Sequence, residues 1–199
     1  MYDNYEALIF DMDGTLVDSG QLHEFAWSEM LNKYGIPIDR PLMRSLAGVP
    51  TKGTIEILLK NFNLTASASL DEMNDFKEQL VHGAMHKFVK PTGLIDVAQK
   101  YHGKKPMAIG TGAYTQEANT ILALCGLDKY ISVVVGADQV QHPKPAPDTF
   151  LRCAELLGVN PQDCVVFEDS KLGLQAAASA GMVGIDVLLV HNIENDYFL

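Results

Sequence analysis

The feature that most constrains the fold is a short apolar run, Ala7-Leu8-Ile9-Phe10, which ends at Asp11 and Asp13. Such a run is typical of a parallel strand buried on both faces. Residues two apart in an extended chain project the same way, so both carboxylates are expected together at the strand end. Their repulsion, roughly 4 kcal/mol at 4 Å and an effective dielectric of 20, favours a bound divalent cation. The alternative is an acidic turn, because Asp-Gly is a common turn dipeptide.

Residues 18–90 carry helical patterns and no strand pattern. We expect four helices there, over about residues 19–34, 41–47, 51–59 and 71–89. Pro91-Thr92-Gly93 interrupts the pattern and indicates a crossing between domains. The sequence therefore predicts a small α-helical cap domain over residues 17–91, inserted into a core formed by 1–16 and 92–199.

From residue 94 onward, helix and strand patterns alternate. Strands are expected over residues 106–110, 131–135, 164–167 and 183–187, with helices between them. This alternation predicts an α/β fold with a Rossmann-like, doubly wound parallel sheet and right-handed crossovers. Ligands of such sheets bind outside the carboxyl ends of the strands. The residues after 190 are mostly polar and show no motif.

Polar residues at these strand ends suit phosphoryl transfer. They are Asp11, Asp13, Thr111, Asp138, Glu168 and Asp169, with Lys144 in the loop after the third strand. Carboxylate oxygens are ligands that Mg²⁺ prefers, and a lysine neutralises phosphate oxygens and keeps a neighbouring carboxylate ionised. Asp11 is then a candidate nucleophile and Asp13 a candidate acid–base, a role typically worth about 10²–10⁴ in rate. Each residue alone also has a structural explanation, such as a helix cap or a solvated loop.

In this order, Asp11-Met12-Asp13-Gly14-Thr15, Thr111, Lys144 and Glu168-Asp169 resemble the four motifs of the haloacid dehalogenase superfamily. The helical insert resembles the cap of that superfamily. Two stretches, Lys144-Pro145-Ala146-Pro147-Asp148 and Phe167-Glu168-Asp169-Ser170, are similar to the β-phosphoglucomutase-like group, and within it the chain resembles bacterial sugar phosphatases. The resemblance implies Mg²⁺-dependent hydrolysis of a small sugar phosphate, of the fructose 1-phosphate or 6-phosphogluconate type, through an aspartyl-phosphate.

The resemblance also implies residue roles. Asp11 is the implied nucleophile and Asp13 the acid–base. The implied metal ligands are Asp11, the carbonyl of Asp13 and Asp169, with Glu168 as a further neighbour. The residues implied to bind phosphate or to approach the substrate are Thr111, Lys144, His23, Trp27 and Gly48.

Two positions depart from the family pattern. Mutases of this group carry an arginine three residues after the cap-loop glycine, where this chain has Thr51, followed by Lys52. An arginine fork grips phosphate bidentately; threonine cannot replace it, and Lys52 supplies only a point charge. This favours a phosphatase over the alternative, a sugar-phosphate mutase. Gly112 stands where many relatives carry asparagine, so part of the nucleophile's support is unassigned.

A non-catalytic phosphoacceptor module is a rival prediction, because response-regulator receivers combine an acidic pair, a threonine and a lysine on a similar sheet. In those modules the phosphorylated aspartate follows the third strand, where this chain offers only Asp138. No helical insert interrupts their sheet. The phosphatase interpretation is therefore preferred.

The net charge of −10 argues against nucleic-acid and anionic-membrane partners but not against a small phosphorylated substrate. Met1 to Glu6 are mostly polar and acidic, unlike a signal peptide. Three cysteines without a Cys-x-x-Cys spacing are typical of reduced thiols in the cytoplasm. The oligomeric state is left open, and a monomer is compatible with the sequence.

Overall fold

The computed structural model describes residues 1–199, which form two compact units. The first, here called the α/β unit, comprises Met1–Asp18 and Val89–Asn195. The second, here called the helical unit, comprises Ser19–Phe88 and Asp196–Leu199. The chain therefore passes from one unit to the other three times.

The strands and helices are given in chain order. The strands are β1 (Ala7–Phe10), β2 (Val17–Asp18), β3 (Lys90–Pro91), β4 (Met107–Gly110), β5 (Val133–Val135), β6 (Cys164–Glu168) and β7 (Val183–Asp186). The helices are α1 (Gly20–Tyr34), α2 (Arg40–Ser45), α3 (Thr51–Asn61), α4 (Leu70–Phe88), α5 (Ile95–Tyr101), α6 (Thr115–Leu124), α7 (Asp148–Leu157), α8 (Lys171–Ser179) and α9 (Val187–Val190). Two 3₁₀ turns lie at Ala137–Gln139 and Pro161–Asp163.

Five parallel strands form the sheet of the α/β unit, in the order β5-β4-β1-β6-β7. This order, with helices between consecutive strands, confirms the predicted doubly wound parallel sheet. Strand β1 lies at the centre and is fully buried, as its uninterrupted apolar run predicts. Phe10 stands opposite Ile109 on one side and Phe167 on the other, so the ends of β1, β4 and β6 meet at one edge. The rings of Phe10 and Phe167 stack with centroids 4.8 Å apart.

The prediction that residues 18–90 contain no strand is wrong at both ends. Strand β2 pairs antiparallel with β3, and the Lys90 ammonium lies 3.1 Å from the Asp18 carboxylate. The Thr92 hydroxyl donates to the Thr15 carbonyl at 2.7 Å. Two-residue strands are too short for a side-chain period to reveal them. This ribbon joins the two passages of the chain that lead to and from α1–α4.

The helical unit contains the four predicted helices, α1–α4, around an apolar core. The fully or almost fully buried members of that core are Trp27, Met30, Leu31, Ile36, Met43, Ile55, Leu58, Met73 and Phe198. Phe198 comes from the segment after residue 190, for which the sequence indicated no role. The apolar run Tyr197-Phe198-Leu199 is too short to show a periodicity, so the burial of Phe198 was not predictable.

All three cysteines are free, and two of them, Cys153 and Cys164, are buried. Burial raises the pKa of the Cys153 thiol to about 12 and that of Cys164 to about 11, so both are protonated at neutral pH. None of the helices combines the length and apolar character that a membrane crossing requires.

Candidate active site

Asp11 is the first residue beyond the buried strand β1. Its side chain is buried, and its N–H donates to the Phe167 carbonyl at 2.9 Å, which continues the pairing with β6. The chain then turns, because the Met12 carbonyl accepts the N–H groups of Leu16 and Val17 at 3.0 and 2.9 Å. The expectation that the Asp11 and Asp13 carboxylates lie together stays a prediction. Asp13 is half-buried and is not a member of the carboxylate cluster described next.

Three carboxylates, those of Asp11, Glu168 and Asp169, gather at the meeting edge of β1 and β6. One oxygen from each lies within 4.8 Å of the others. Oxygen-only donors at this spacing are what a hard divalent cation binds, so the residues fit such an ion. The repulsion around Asp11 thus includes the charges of Glu168 and Asp169, which the sequence pattern at Asp11 and Asp13 did not reveal.

Lys144 supplies the positive charge of the cluster. Its ammonium donates to Asp11 Oδ1 at 2.6 Å and to Glu168 Oε2 at 2.7 Å, and it lies 4.6 Å from the centre of the Phe150 ring. Burial lowers the pKa of Lys144, but the two carboxylates more than offset that effect and leave its pKa above the ordinary value. Lys144 is therefore a fixed cation at neutral pH.

Glu168 is the most constrained of the three acids, being 1% exposed. Its Oε1 accepts the N–H and the hydroxyl of Ser170, at 3.0 and 2.8 Å, while Oε2 accepts Lys144. A Cβ placed on Gly173 of α8 would lie 1.9 Å from Oε2. The absent side chain at Gly173 therefore makes the space in which the Glu168 carboxylate lies.

Asp169 accepts one hydrogen bond on each oxygen. The Thr15 hydroxyl donates to Oδ1 at 3.3 Å, and the Asn195 amide donates to Oδ2 at 2.7 Å. Gly14 passes close by with φ +76°, and a Cβ there would lie 2.4 Å from Asp169 Oδ2. Burial and the Glu168 charge raise the pKa of Asp169 to about 7.

Burial also raises the pKa of Asp11 well above its usual range, and the Glu168 charge acts in the same direction. Lys144 opposes both effects without cancelling them. One ammonium facing three carboxylates leaves the cluster with excess negative charge when all three are ionised. A bound divalent cation would favour that ionised form, in which Asp11 is a nucleophile.

Thr111 follows β4 as Asp11 follows β1, and it is buried. Its hydroxyl oxygen accepts the Ala113 N–H at 3.1 Å, so the hydroxyl proton remains available to a ligand. At Gly112 an added Cβ would meet nothing within 4 Å, so lack of space does not explain the missing asparagine.

Asp138 lies in the 3₁₀ turn that follows β5, at the edge strand of the sheet. One of its carboxylate oxygens accepts the N–H and the hydroxyl of Thr115, both at 2.8 Å, at the start of α6. These two hydrogen bonds lower the pKa of Asp138. Asp138 thus has a structural role at the start of α6 and is not a member of the carboxylate cluster.

The residues expected to approach the substrate from the insert lie in the helical unit. His23 and Trp27 are on α1, and Trp27 is 5% exposed within the apolar core of that unit. Gly48 has φ +85° in the loop after α2, and Lys52 of α3 pairs with the exposed Asp71. The substrate roles of these residues stay predictions.

Lys77 was not singled out from the sequence. It lies on α4, is 5% exposed, and its ammonium is 5.4 Å from the centre of the Trp27 ring. The available signal was its spacing, because Lys77 follows the buried Met73 by four residues on one helix face.

Comparisons with known proteins identify the family and the fold. A family model described as haloacid dehalogenase-like hydrolase matches residues 5–181. Fructose-1-phosphate phosphatase YqaB of Escherichia coli K12 is 44% identical over 192 residues, which cover 96% of this chain and all of that protein. A phosphorylated carbohydrates phosphatase of Thermotoga maritima is 34% identical over 89% of this chain and 82% of its own. The crystal structure of β-phosphoglucomutase from Clostridium difficile, at 24% identity, shares the fold with a TM-score of 0.78 and 97% coverage of both chains.

Proposed function

Because the chain belongs to the haloacid dehalogenase-like hydrolase family, we propose that it is a Mg²⁺-dependent phosphatase that hydrolyses a small sugar phosphate. The observation that carries the proposal is the position of Lys144, which bridges Asp11 and Glu168 while Asp169 lies beside them. This arrangement combines a nucleophile, a fixed cation for phosphate oxygens and a donor set for a metal.

Asp11 performs the first step. One of its carboxylate oxygens attacks the phosphorus, the bond from phosphorus to the sugar oxygen breaks, and an aspartyl-phosphate forms. Asp13 protonates the departing sugar oxygen and then takes a proton from the water that hydrolyses the aspartyl-phosphate. Both proton transfers by Asp13 are part of the proposal.

Lys144 and Thr111 act on the transferring phosphoryl group. The Lys144 ammonium neutralises phosphate oxygens, and the Thr111 hydroxyl donates to one of them. Asp11, Asp169 and the Asp13 carbonyl would hold Mg²⁺, which supplies further charge neutralisation. Glu168 does not face the substrate in this scheme; it accepts Lys144 and Ser170 and so fixes the ammonium.

The proposed substrate is a sugar monophosphate of the fructose 1-phosphate or 6-phosphogluconate type. Support comes from the 44% identical Escherichia coli relative, which is named a fructose-1-phosphate phosphatase. We assign to the helical unit the role of a cap that selects the sugar, through His23, Trp27, Gly48 and Lys52. In a mutase, Lys52 would have to take the place of the arginine that grips the second phosphate. Lys52 instead forms an ion pair with Asp71, and this favours hydrolysis over mutase activity. Three free thiols support a cytoplasmic location.

The test is phosphate release from a panel of sugar phosphates, with Mg²⁺ and with EDTA. Asp11→Asn should abolish turnover, because an amide is not a nucleophile of this kind. Asp138→Asn is the matched control, because it makes the same change of side chain at the end of another strand. This variant should retain turnover. Phosphate release by Asp11→Asn at the parent rate would refute the mechanism. Rapid isomerisation of β-glucose 1-phosphate with a bisphosphate primer, with little phosphate released, would instead establish the mutase.

A further inference from the structure

Asn195 touches the proposed metal site from the end of the α/β unit. Its Nδ2 lies 2.7 Å from Asp169 Oδ2. An ionised carboxylate only accepts hydrogen bonds, so the amide nitrogen is the group that faces it. With Thr15 on Oδ1 and Asn195 on Oδ2, the rotation of the Asp169 carboxylate is fixed from both sides.

The contact is tight enough to depend on Gly14. A Cβ on Gly14 would lie 2.7 Å from Asn195 Nδ2 and 2.4 Å from Asp169 Oδ2. The lack of a side chain at Gly14 thus leaves room for the hydrogen-bonded pair of Asn195 and Asp169. This close approach is a second observation, independent of the hydrogen bond, that places the asparagine in the structure around the cluster.

The chain just before Asn195 is held within the α/β unit. Ile193 is buried there, and its N–H donates to the Val187 carbonyl at 3.3 Å. Asn195 and Asp169 belong to the same unit, so their contact is part of the packing of that unit.

We propose that Asn195 is a positioning residue that orients Asp169 toward the divalent cation. This inference rests on the proposed function, because it assigns Asp169 to the metal. Hydrogen bonds to a ligating carboxylate fix its direction, and losing such a partner typically costs about 10–100-fold in metal affinity. Asn195 touches neither substrate nor metal in this scheme.

The test measures Mn²⁺ binding to the full-length, metal-free protein, from the electron paramagnetic resonance signal of free Mn²⁺. Asn195→Ala should raise the Kd about 10–100-fold. Glu194→Gln, an exposed neighbour, should leave the Kd within about twofold of the parent. At saturating metal, the KM of Asn195→Ala for the sugar phosphate should equal that of the parent, and its melting temperature without metal should change little.

The outcomes separate this inference from the proposed function. If Asn195→Ala binds Mn²⁺ as tightly as the parent, Asn195 does not position Asp169. If the parent itself binds no Mn²⁺, the metal site fails, and with it the inference.

Discussion

Replacing Lys144 by methionine tests whether one buried ammonium holds the carboxylate cluster together. Its Nζ lies 2.6 Å from Asp11 Oδ1 and 2.7 Å from Glu168 Oε2, and all three groups are largely buried. At an effective dielectric of 20, each contact is worth roughly 6 kcal/mol of Coulomb attraction. The desolvation of three charges offsets much of this sum. Removing one partner of a buried ion pair typically costs about 3–5 kcal/mol, and we expect Lys144→Met to fall in that range.

The measurement is urea unfolding at pH 7.5, with EDTA and with excess Mg²⁺. Methionine keeps a similar length and apolar stem, so the loss reports the charge rather than a cavity. Without the ammonium the cluster is more negative, so a divalent cation should bind it more tightly and stabilise the variant more than the parent. The difference in free energy of unfolding between variant and parent should therefore be smaller with Mg²⁺ than with EDTA.

Lys171→Met is the matched control, because Lys171 is an exposed lysine at the start of α8. It should change the free energy of unfolding by no more than about 0.5 kcal/mol. Two results would refute the reasoning. A Lys144→Met variant within about 1 kcal/mol of the parent in EDTA would show that the ammonium does not offset the carboxylate repulsion. An equal difference with and without Mg²⁺ would show that the cation does not bind this cluster.

Two further predictions concern the same cluster. Gly173→Ala should lower the free energy of unfolding by about 1–3 kcal/mol, because the added Cβ would lie 1.9 Å from Glu168 Oε2. Gly83→Ala in α4 is the control: its Cβ would meet nothing within 4 Å, and it should raise the free energy of unfolding by about 0.5–1 kcal/mol. Equal effects of the two variants in denaturant unfolding would contradict this. In EDTA, stability should fall as pH rises from about 4 to about 7, because folded Asp11 and Asp169 have raised pKa values and keep protons that the unfolded chain has released. Urea midpoints between pH 5 and 8 measure this, and a midpoint at pH 7.5 equal to that at pH 5 would count against it.

Most of the fold was predictable because each main element carries its own local signal. The apolar runs of β1, β4 and β6 are short and uninterrupted, and helix periodicity separates them. The parallel register then brings the residues after Phe10, Ile109 and Phe167 to one edge without further information. This is why Asp11, Thr111 and Glu168 could be predicted as strand-end residues of one sheet edge.

The remainder depends on contacts between residues far apart in the chain. Asn195 donates a hydrogen bond to Asp169, which lies 26 positions earlier in the chain, and the segment around Asn195 has no periodicity. Nothing in the sequence indicates that Gly173 lies against Glu168, because this contact arises only when α8 packs against β6. The position of Asp13 depended on how the chain turns after Asp11, and a period-two argument applies only while the chain stays extended.

The three acids of the cluster differ in what holds them, and this difference bears on which of them would hold a cation. Glu168 has Ser170 on one oxygen and Lys144 on the other, so it has the least freedom to face a new ligand. Lys144 donates to Oδ1 of Asp11, and Asp169 accepts the Thr15 hydroxyl and the Asn195 amide. Asp11 and Asp169 are therefore the two acids that would hold a divalent cation here. Both of these groups have raised pKa values without a metal, and a bound divalent cation would favour their ionised forms, including that of the proposed nucleophile Asp11.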